Sequence, residues 1–263
     1  RHPSQRHMET GINGKVVLVT GGAGGIGQAI CKAFSSEGAK VIVHYHSSST
    51  AESLADEIQG KAIRADLRNS DEATEMISQI VSEFGNLDIC IANAGYYPTP
   101  ARPLWEIDAE RWSDTISSNL DLTVNTARAF LAQASKQKSG SLVMVGSTAG
   151  IYGEAGHSDY AAAKGAITSG LLMSLKNDVA TIGGVRVNSV APGWTITPKK
   201  IQQGVDDGLV ERATSTMSLK KLATPEDVAN AIVMLSSDEI SGHITGQVIE
   251  VAGGMEGRLI PKK

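Results

Sequence analysis

The stretch Lys15-Val-Val-Leu-Val-Thr20 runs directly into Gly21-Gly-Ala-Gly-Gly25-Ile-Gly27, and this junction decides the fold. The first six residues are mostly β-branched and apolar, which is typical of a strand buried on both faces of a parallel sheet. Residues 28–34 continue with the apolar spacing of a helix. A strand, a glycine-rich turn and a helix present free backbone N–H groups to a phosphate, so the junction predicts a dinucleotide-binding site.

The same alternation of strand and helix patterns continues along the chain. It predicts an α/β, single-domain Rossmann fold with a doubly wound, parallel, seven-stranded sheet and helices on both faces. Right-handed crossovers would bring Gly21, Asn93, Ser147 and Pro192, each just past a predicted strand end, into one crevice. The strands are predicted at 15–20, 40–45, 61–65, 87–92, 140–146, 185–190 and 247–251. The helices are predicted at 25–37, 49–59, 70–84, 108–119 running on to about 137, 158–182, 206–216 and 225–236.

Composition narrows the class of protein. The 263 residues are 41% hydrophobic, carry a net charge of −4 and show no break in composition, so residues 8–263 are expected to form one catalytic domain. Residues 1–7 precede Met8 and lack an apolar core, and we expect them to be a cloning remnant rather than a signal sequence. No basic patch suggests a nucleic-acid partner, and no apolar stretch suggests a membrane span. Cys31 and Cys90 are expected to be small core residues of a cytoplasmic protein, not a disulfide or metal ligands.

A second group of functional residues surrounds Tyr160. Tyr160 and Lys164 stand four residues apart, and Ser147 lies thirteen residues upstream at the end of an apolar run. Positions i and i+4 share one face of a helix. A phenol titrates near about 10, and a neighbouring ammonium lowers that pKa. We therefore expect Ser147 to hold a substrate oxygen, Tyr160 to exchange its proton and Lys164 to lower the pKa of the tyrosine.

Taken together, the motifs resemble those of the short-chain dehydrogenase/reductase family from about Gly14 to Met255. Two positions depart from the family pattern, because Ala92 replaces an Asn and Ala252 stands where an Asp is common. The motifs that carry the resemblance are Thr20-Gly21-x-x-x-Gly25-x-Gly27, Asp66-Leu67, Ile91-Ala92-Asn93-Ala94-Gly95, Asn119, the set Ser147, Tyr160 and Lys164, residues 185–193 with Thr197, and residues 246–254.

The resemblance implies an NAD(P)-dependent oxidoreductase with four catalytic residues. Tyr160 would take the proton of a secondary alcohol bound near Ser147 while hydride passes to the nicotinamide. Lys164 would also bind the nicotinamide ribose, and Asn119 would hold a helix carbonyl and a relay water. A homotetramer built on residues 108–137 and 158–182 is implied as well. The implied cofactor contacts are Gly21, Gly25, Ile26, Gly27, Asp66, Leu67, Asn93, Ala94, Gly95, Tyr160, Lys164, Pro192, Gly193, Thr195 and Thr197.

The end of the second strand indicates which dinucleotide is preferred. NAD-selective proteins usually carry an acid about 20 residues beyond the glycine turn. Here the strand ends Tyr45-His46-Ser47-Ser48, and Tyr45 stands where an Asp would repel a 2′-phosphate. His46, Ser47 and Ser48 could donate hydrogen bonds to that phosphate, so NADP is predicted over NAD. No Arg or Lys stands beside them in the sequence, and His46 could equally be a solvated loop residue.

The substrate is predicted from polar residues near Tyr160. Glu154 and His157 fit a sugar or other polyol better than a steroid or a long acyl chain, unless both are solvated loop residues. Tyr96, Tyr97 and Trp194 are further candidates to face the substrate, and residues 194–219 are predicted to form a mobile lid.

Three functions stay open on the sequence alone. The leading interpretation is a sugar dehydrogenase of the aldose 1-dehydrogenase type. The first alternative is a 3-oxoacyl thioester (acyl-carrier-protein) reductase, which the acidic chain mildly disfavours. The second is a catalytically silent nucleotide-binding regulator, which the intact set of four catalytic residues disfavours.

Overall fold

The computed structural model describes residues 8–261, so the expected remnant at 1–7 lies outside the described residues. One seven-stranded, fully parallel sheet forms the centre of the molecule, as predicted, in the order β3-β2-β1-β4-β5-β6-β7. The strands are β1 Val16–Val19, β2 Lys40–Tyr45, β3 Lys61–Arg64, β4 Ile89–Ala92, β5 Gly140–Val145, β6 Val185–Pro192 and β7 Val248–Val251.

Twelve α-helices occur among residues 8–261, and none of them is long and apolar enough to cross a membrane. They are α1 Gly25–Ser36, α2 Ala51–Glu57, α3 Ser70–Phe84, α4 Ala109–Ile116, α5 Leu122–Gln137, α6 Ala149–Tyr152, α7 Ser158–Ala166, α8 Leu172–Asp178, α9 Pro198–Gln203, α10 Asp207–Thr214, α11 Pro225–Ser236 and α12 Asp238–Ser241. Single 3₁₀ turns occur at Leu104–Glu106 and Val179–Thr181.

Both faces of the sheet are covered by helices. Successive residues of β1 point to opposite faces, so Leu18 joins a core with α3 and α5 while Val19 joins a core with α1 and α11. This double burial explains why the strands are uninterrupted apolar runs. Cys90 lies in the first core and Cys31 in the second, and both are buried free thiols, as predicted.

The strand order reverses at β1, which pairs with β2 on one side and β4 on the other. Ligands of open α/β sheets bind at such a point, beyond the carboxyl ends of the strands. The described contacts show the predicted convergence there, because Gly21 packs against Ala94 and Thr148 donates its N–H to the carbonyl of Pro192 at 3.1 Å. β6 extends two residues beyond its predicted end, so Pro192 is the last residue of the strand.

The structure differs from the predicted helices in two respects. The long helices at 108–137 and 158–182 are each broken by a wide π turn, at Ser117–Asp121 and Ile167–Leu171. In the first, Asn119 donates its side-chain amide to the Thr115 carbonyl, which competes with the regular helix ladder. Short helices α6, α9 and α12 were not predicted. Pro198, interpreted as punctuation, is instead the first residue of α9 behind a Thr197 N-cap.

Candidate active site

The glycine turn is shaped by close backbone packing. Gly21 has a φ of +59°, a left-handed conformation, and a Cβ there would lie 2.9 Å from the Cα of Ala94. A Cβ on Gly27 would collide with the carbonyl oxygen of Gly21. These two glycines therefore let α1 and β4 approach the turn closely.

The start of α1 suits a phosphate. Its N-cap, Gly24, offers no side-chain hydrogen bond, and among the described residues a Cβ built on Gly24 would have only the Gly21 carbonyl oxygen near it, at 3.5 Å. The first-turn N–H groups of Gly25, Ile26 and Gly27 have no helical partner, and the helix dipole adds partial positive charge. The turn can therefore accommodate a pyrophosphate, and its binding of a dinucleotide stays a prediction.

The side chain of His44 holds the glycine turn by a hydrogen bond. Gly21 donates its N–H to His44 Nδ1 at 3.0 Å, and His44 Nε2 lies 2.9 Å from the carbonyl of Ala65. Burial lowers the pKa of His44 to about 4, so the ring is neutral near pH 7 with its proton on Nε2. Sequence analysis missed this residue, although a histidine inside the apolar run of β2 was a visible signal.

The adenosine end of the crevice carries more charge than the sequence suggested. Arg68 binds the carboxylate of Asp66 through Nε at 3.0 Å and Nη2 at 2.8 Å. These hydrogen bonds lower the pKa of Asp66 to about 2. His46 Nε2 is 3.9 Å from the same carboxylate, so the fold brings an arginine near the end of β2 where the sequence indicated none. Tyr45 donates its hydroxyl to Glu52 at 3.4 Å.

The remaining predicted cofactor residues line the same edge. Thr20 Oγ1 accepts the N–H groups of Asn93 at 2.9 Å and Ala94 at 3.0 Å, which fixes the end of β4 against the glycine turn. A Cβ on Gly25 would lie 3.0 Å from Thr197 Cβ, so the segment after β6 reaches across to α1. Thr195 and Leu67 are buried; the Leu67 side chain is part of the core. Ser47, Ser48 and Gly193 follow their strands, whereas Pro192 is the last residue of β6.

Ser147, Tyr160 and Lys164 come together at the end of β5. Ser147 is buried and its hydroxyl accepts the N–H of Ala149 at 3.1 Å. Lys164 donates to the carbonyl of Val145 at 3.1 Å, and its Nζ lies 5.7 Å from the centre of the Tyr160 ring. The two side chains therefore share one face of α7, as the i, i+4 spacing predicted. Burial lowers the pKa of Lys164 to about 8.

The prediction that the pKa of Tyr160 is lowered is wrong. Burial raises the pKa of the phenol, and the hydroxyl of Ser147 only partly opposes this shift. The physical reason is that desolvation disfavours the phenolate more than its neighbours favour it. Tyr160 is consequently a protonated phenol near neutral pH, a form that can donate a proton to a carbonyl oxygen.

Asn119 holds the surrounding main chain. Its amide donates to the carbonyls of Tyr96 at 2.8 Å and Thr115 at 2.9 Å, and its Oδ1 accepts the N–H of Tyr96 at 3.0 Å. The predicted contact with a helix carbonyl is thus present. Gly95 packs beside it, because a Cβ there would lie 2.8 Å from Asn119 Oδ1 and 3.2 Å from Lys164 Nζ.

A buried ion pair anchors the start of α7. Asp159 accepts hydrogen bonds from Arg111 Nε at 3.0 Å, Thr115 Oγ1 at 2.9 Å and the N–H of Tyr160 at 2.9 Å. Burial alone would raise the pKa of Asp159, but these donors outweigh it and keep the pKa below its usual range. Sequence analysis missed the pair because its members are 48 residues apart.

A cleft of about 150 Å³ lies next to Tyr97 and His157, close to Tyr160. The ring of Tyr97 contacts Tyr160 edge-on at 5.0 Å and stacks on His157 at 4.3 Å. Tyr96 is 54% exposed and does not line this cleft; only its main chain takes part, through Asn119. The lining residues are Tyr97, Glu154, Ala155, His157, Trp194, Arg258, Leu259 and Pro261.

Glu154 and His157 are not the solvated loop residues that the sequence left as an alternative. His157 is buried, with Nδ1 3.2 Å from the Tyr97 hydroxyl and Nε2 3.1 Å from the Pro98 carbonyl. Glu154 forms an ion pair with Arg258 at 3.0 Å. Arg258 was not predicted, because no local pattern indicates that the C-terminal segment folds back here.

Comparisons with known proteins agree with this geometry. A family model described as enoyl-(acyl carrier protein) reductase matches residues 21–256. Relatives named 3-oxoacyl-[acyl-carrier-protein] reductase FabG include one from Thermotoga maritima, 35% identical over 251 residues, which cover 93% of this chain and 98% of that protein. Another, from Vibrio cholerae, is 35% identical over 249 residues, again 93% of this chain and 98% of that protein.

A solved structure shows the same fold. It is titled "Crystal structure of gox2181", has a TM-score of 0.85 and is 23% identical, covering 92% of this chain and 95% of that chain. At that identity the likeness supports the fold alone, whereas the family model and the relatives identify the family. The chain belongs to the short-chain dehydrogenase/reductase family and is an NAD(P)-dependent oxidoreductase acting on CH–OH and carbonyl groups.

Proposed function

We propose that the protein is an NADP-dependent dehydrogenase of a small polyol, in the first place a sugar of the aldose 1-dehydrogenase class. The observation that carries this proposal is the polarity of the cleft beside Tyr160, where Glu154, His157 and Arg258 are largely buried. An apolar substrate chain would leave two atoms of these groups, Glu154 Oε2 and Arg258 Nε, without a hydrogen bond, at about 1–3 kcal/mol each. Hydroxyl groups can satisfy them.

The catalytic residues act on one substrate oxygen in this proposal. Ser147 holds the oxygen, and Tyr160 gives its proton to that oxygen on reduction; on oxidation Tyr160 first loses its own proton and then, as the phenolate, takes the proton of the substrate hydroxyl. Lys164, buried beside the tyrosine, stabilises the phenolate while it is charged. Asn119 keeps the main chain around Tyr96 in place and holds the water through which the proton reaches solvent. The nicotinamide, when bound, accepts or supplies the hydride.

The preference for NADP rests on charge. No carboxylate follows β2 within residues 45–48, and His46, Ser47 and Ser48 offer donors there. Arg68 adds a positive charge in the same neighbourhood, although Asp66 already pairs with it. The kcat/KM for NADP should therefore exceed that for NAD, and the reverse ratio would refute this part of the proposal.

A second candidate is a 3-oxoacyl thioester reductase. The relatives from Thermotoga maritima and Vibrio cholerae carry that activity in their names, and the raised pKa of Tyr160 suits proton donation to a ketone. Its carrier-bound substrate would enter a cleft that holds two charged side chains, Glu154 and Arg258. For that reason we place it second.

One experiment separates these functions. Sugars, polyols and 3-oxoacyl thioesters are assayed with both cofactors by the absorbance of the reduced nicotinamide. We expect the highest kcat/KM with a sugar or polyol and NADP. A higher kcat/KM with a thioester would favour the second candidate. Absence of turnover with every compound, in protein that binds cofactor, would favour a silent nucleotide-binding regulator.

We also propose a homotetramer built on α4–α5 and α7–α8. Met173 on α8 is 47% exposed, and Gly170 beside it has open space where a Cβ would stand. Both features leave room for close helix contact. Light scattering should give four times the chain mass, and a monomer mass would contradict the proposal.

A further inference from the structure

Two buried polar atoms beside this cleft have no hydrogen-bond partner among residues 8–261. Arg258 binds Glu154 Oε1 through Nη1 at 3.0 Å and Thr148 Oγ1 through Nη2 at 2.8 Å. The two atoms without a partner are Arg258 Nε and Glu154 Oε2, and the nearest charged neighbour of Glu154 Oε2 besides Arg258 is His157 Nδ1 at 3.9 Å, too far for a hydrogen bond. Buried polar groups normally find partners, so this pair calls for a ligand.

The segment that carries Arg258 is held in position by hydrogen bonds. Tyr152 donates its hydroxyl to the carbonyl of Met255 at 3.0 Å and to Glu250 at 2.9 Å, which ties the C-terminal segment to α6. Glu256 adds a backbone bond to the Thr216 carbonyl at 3.0 Å. Arg258 therefore reaches the cleft from an anchored segment, and its partner Thr148 directly follows Ser147.

The chemistry of the two free atoms selects the ligand. Nε needs an acceptor and Oε2 needs a donor. Two neighbouring hydroxyl groups provide one of each. A carboxylate would pair with Nε but would repel Glu154, and an acyl chain would pair with neither. Lys200, another cation near the cleft, donates to the Thr195 carbonyl at 3.0 Å and lies over the Trp194 ring.

We propose that Glu154 and Arg258 bind two adjacent hydroxyl groups of the substrate, close to the carbon that Tyr160 and Ser147 serve. This inference rests on the proposed polyol function and narrows it. It predicts a neutral substrate with a vicinal diol near its reacting carbon. It excludes hydroxy acids whose carboxylate would occupy the same place.

The test compares matched substrates in matched variants. Glucose and 2-deoxyglucose differ by one hydroxyl of such a pair. The variants are Glu154→Gln and Arg258→Met, and the control is Glu75→Gln, the same kind of change at an exposed position of α3 outside the cleft. Initial rates are measured with NADP, and sugar binding to the NADP-loaded protein is measured by titration calorimetry.

Wild-type protein should prefer glucose, and both variants should lose about 10- to 100-fold in kcat/KM and affinity for glucose, with little change for 2-deoxyglucose. The control should keep the preference. An unchanged preference in both variants, or the same loss in Glu75→Gln, would overturn the inference. If glucose binds through these residues but is not oxidised, the proposed function is refuted and the binding inference is kept. Failure of glucose to bind wild-type protein would remove the inference as well.

Discussion

Replacing Gly95 with alanine should disturb two catalytic side chains at once. The new Cβ would lie 2.8 Å from Asn119 Oδ1 and 3.2 Å from Lys164 Nζ, so both contacts are too short. Neither neighbour can easily withdraw. Asn119 makes three bonds to main-chain atoms, and Lys164 is bonded to the Val145 carbonyl. The φ of Gly95 is not in the left-handed region, so the strain comes from these contacts alone.

The size of the effect follows from packing energetics. Overpacking a well-filled site costs about 1–3 kcal/mol. If that cost falls on the alignment of Lys164 and Asn119, kcat should drop about 5- to 150-fold, because about 1.4 kcal/mol corresponds to a factor of ten. Gly208→Ala in α10 is the matched control. Its Cβ would lie 3.3 Å from Asp206 Oδ1 and 3.5 Å from Arg212 Nη1, the ends of two flexible side chains, so this helical alanine should change the free energy of unfolding by less than about 1 kcal/mol.

The assay combines rate, binding and stability. The initial rate is followed by the absorbance of the reduced nicotinamide, cofactor affinity by calorimetry and the free energy of unfolding by urea denaturation. Gly95→Ala should lose rate while keeping most of its cofactor affinity. A kcat close to wild type, in protein whose unfolding free energy is also unchanged, would refute the packing argument around Lys164.

Three further predictions concern residues around the candidate active site. The pKa of His44 is about 4 in the folded protein and about 6.5 in the unfolded chain, so the unfolded chain binds this proton first as the pH falls. The free energy of unfolding should therefore decrease by about 3 kcal/mol between about pH 6.5 and pH 4. Urea denaturation should show that the free energy of unfolding of His44→Gln depends less steeply on pH over this range, and the same dependence as in the wild type would contradict the role of His44. Removing one partner of the buried pair, in Asp159→Leu, should cost about 3–5 kcal/mol, and the added Arg111→Met should restore part of it in a double-mutant cycle. If the two losses simply add, the pair is not coupled. Tyr45→Asp should lower kcat/KM for NADP about tenfold and spare NAD, since a carboxylate repels the 2′-phosphate; equal loss with both cofactors would argue against that contact.

The sequence predicted the sheet well because its signals are local. Each strand is a short apolar run, and the glycine turn after β1 marks the phosphate site without knowledge of the rest of the chain. The order of strands around β1 then brings Asn93, Ser147 and Pro192 to the same edge. Convergence of the crevice is a consequence of parallel topology, which pattern and handedness rules capture.

The parts that sequence analysis missed depend on contacts between distant segments. Arg258 reaches Thr148 across 110 positions, and Arg111 reaches Asp159 across 48. No periodicity links such residues. The raised pKa of Tyr160 was missed for a related reason, since the spacing to Lys164 reveals the neighbour but not the degree of burial. Desolvation is a property of the folded surroundings.

The central claim is that Tyr160 transfers the proton in the reaction, and Tyr160→Phe tests it most directly. The substitution removes the hydroxyl and keeps the ring against Tyr97, so folding and NADP affinity should be retained. Turnover should fall by at least about 100- to 10,000-fold, the usual contribution of a positioned acid–base group. A variant that binds NADP normally and turns over its best substrate at close to the wild-type rate would contradict the account.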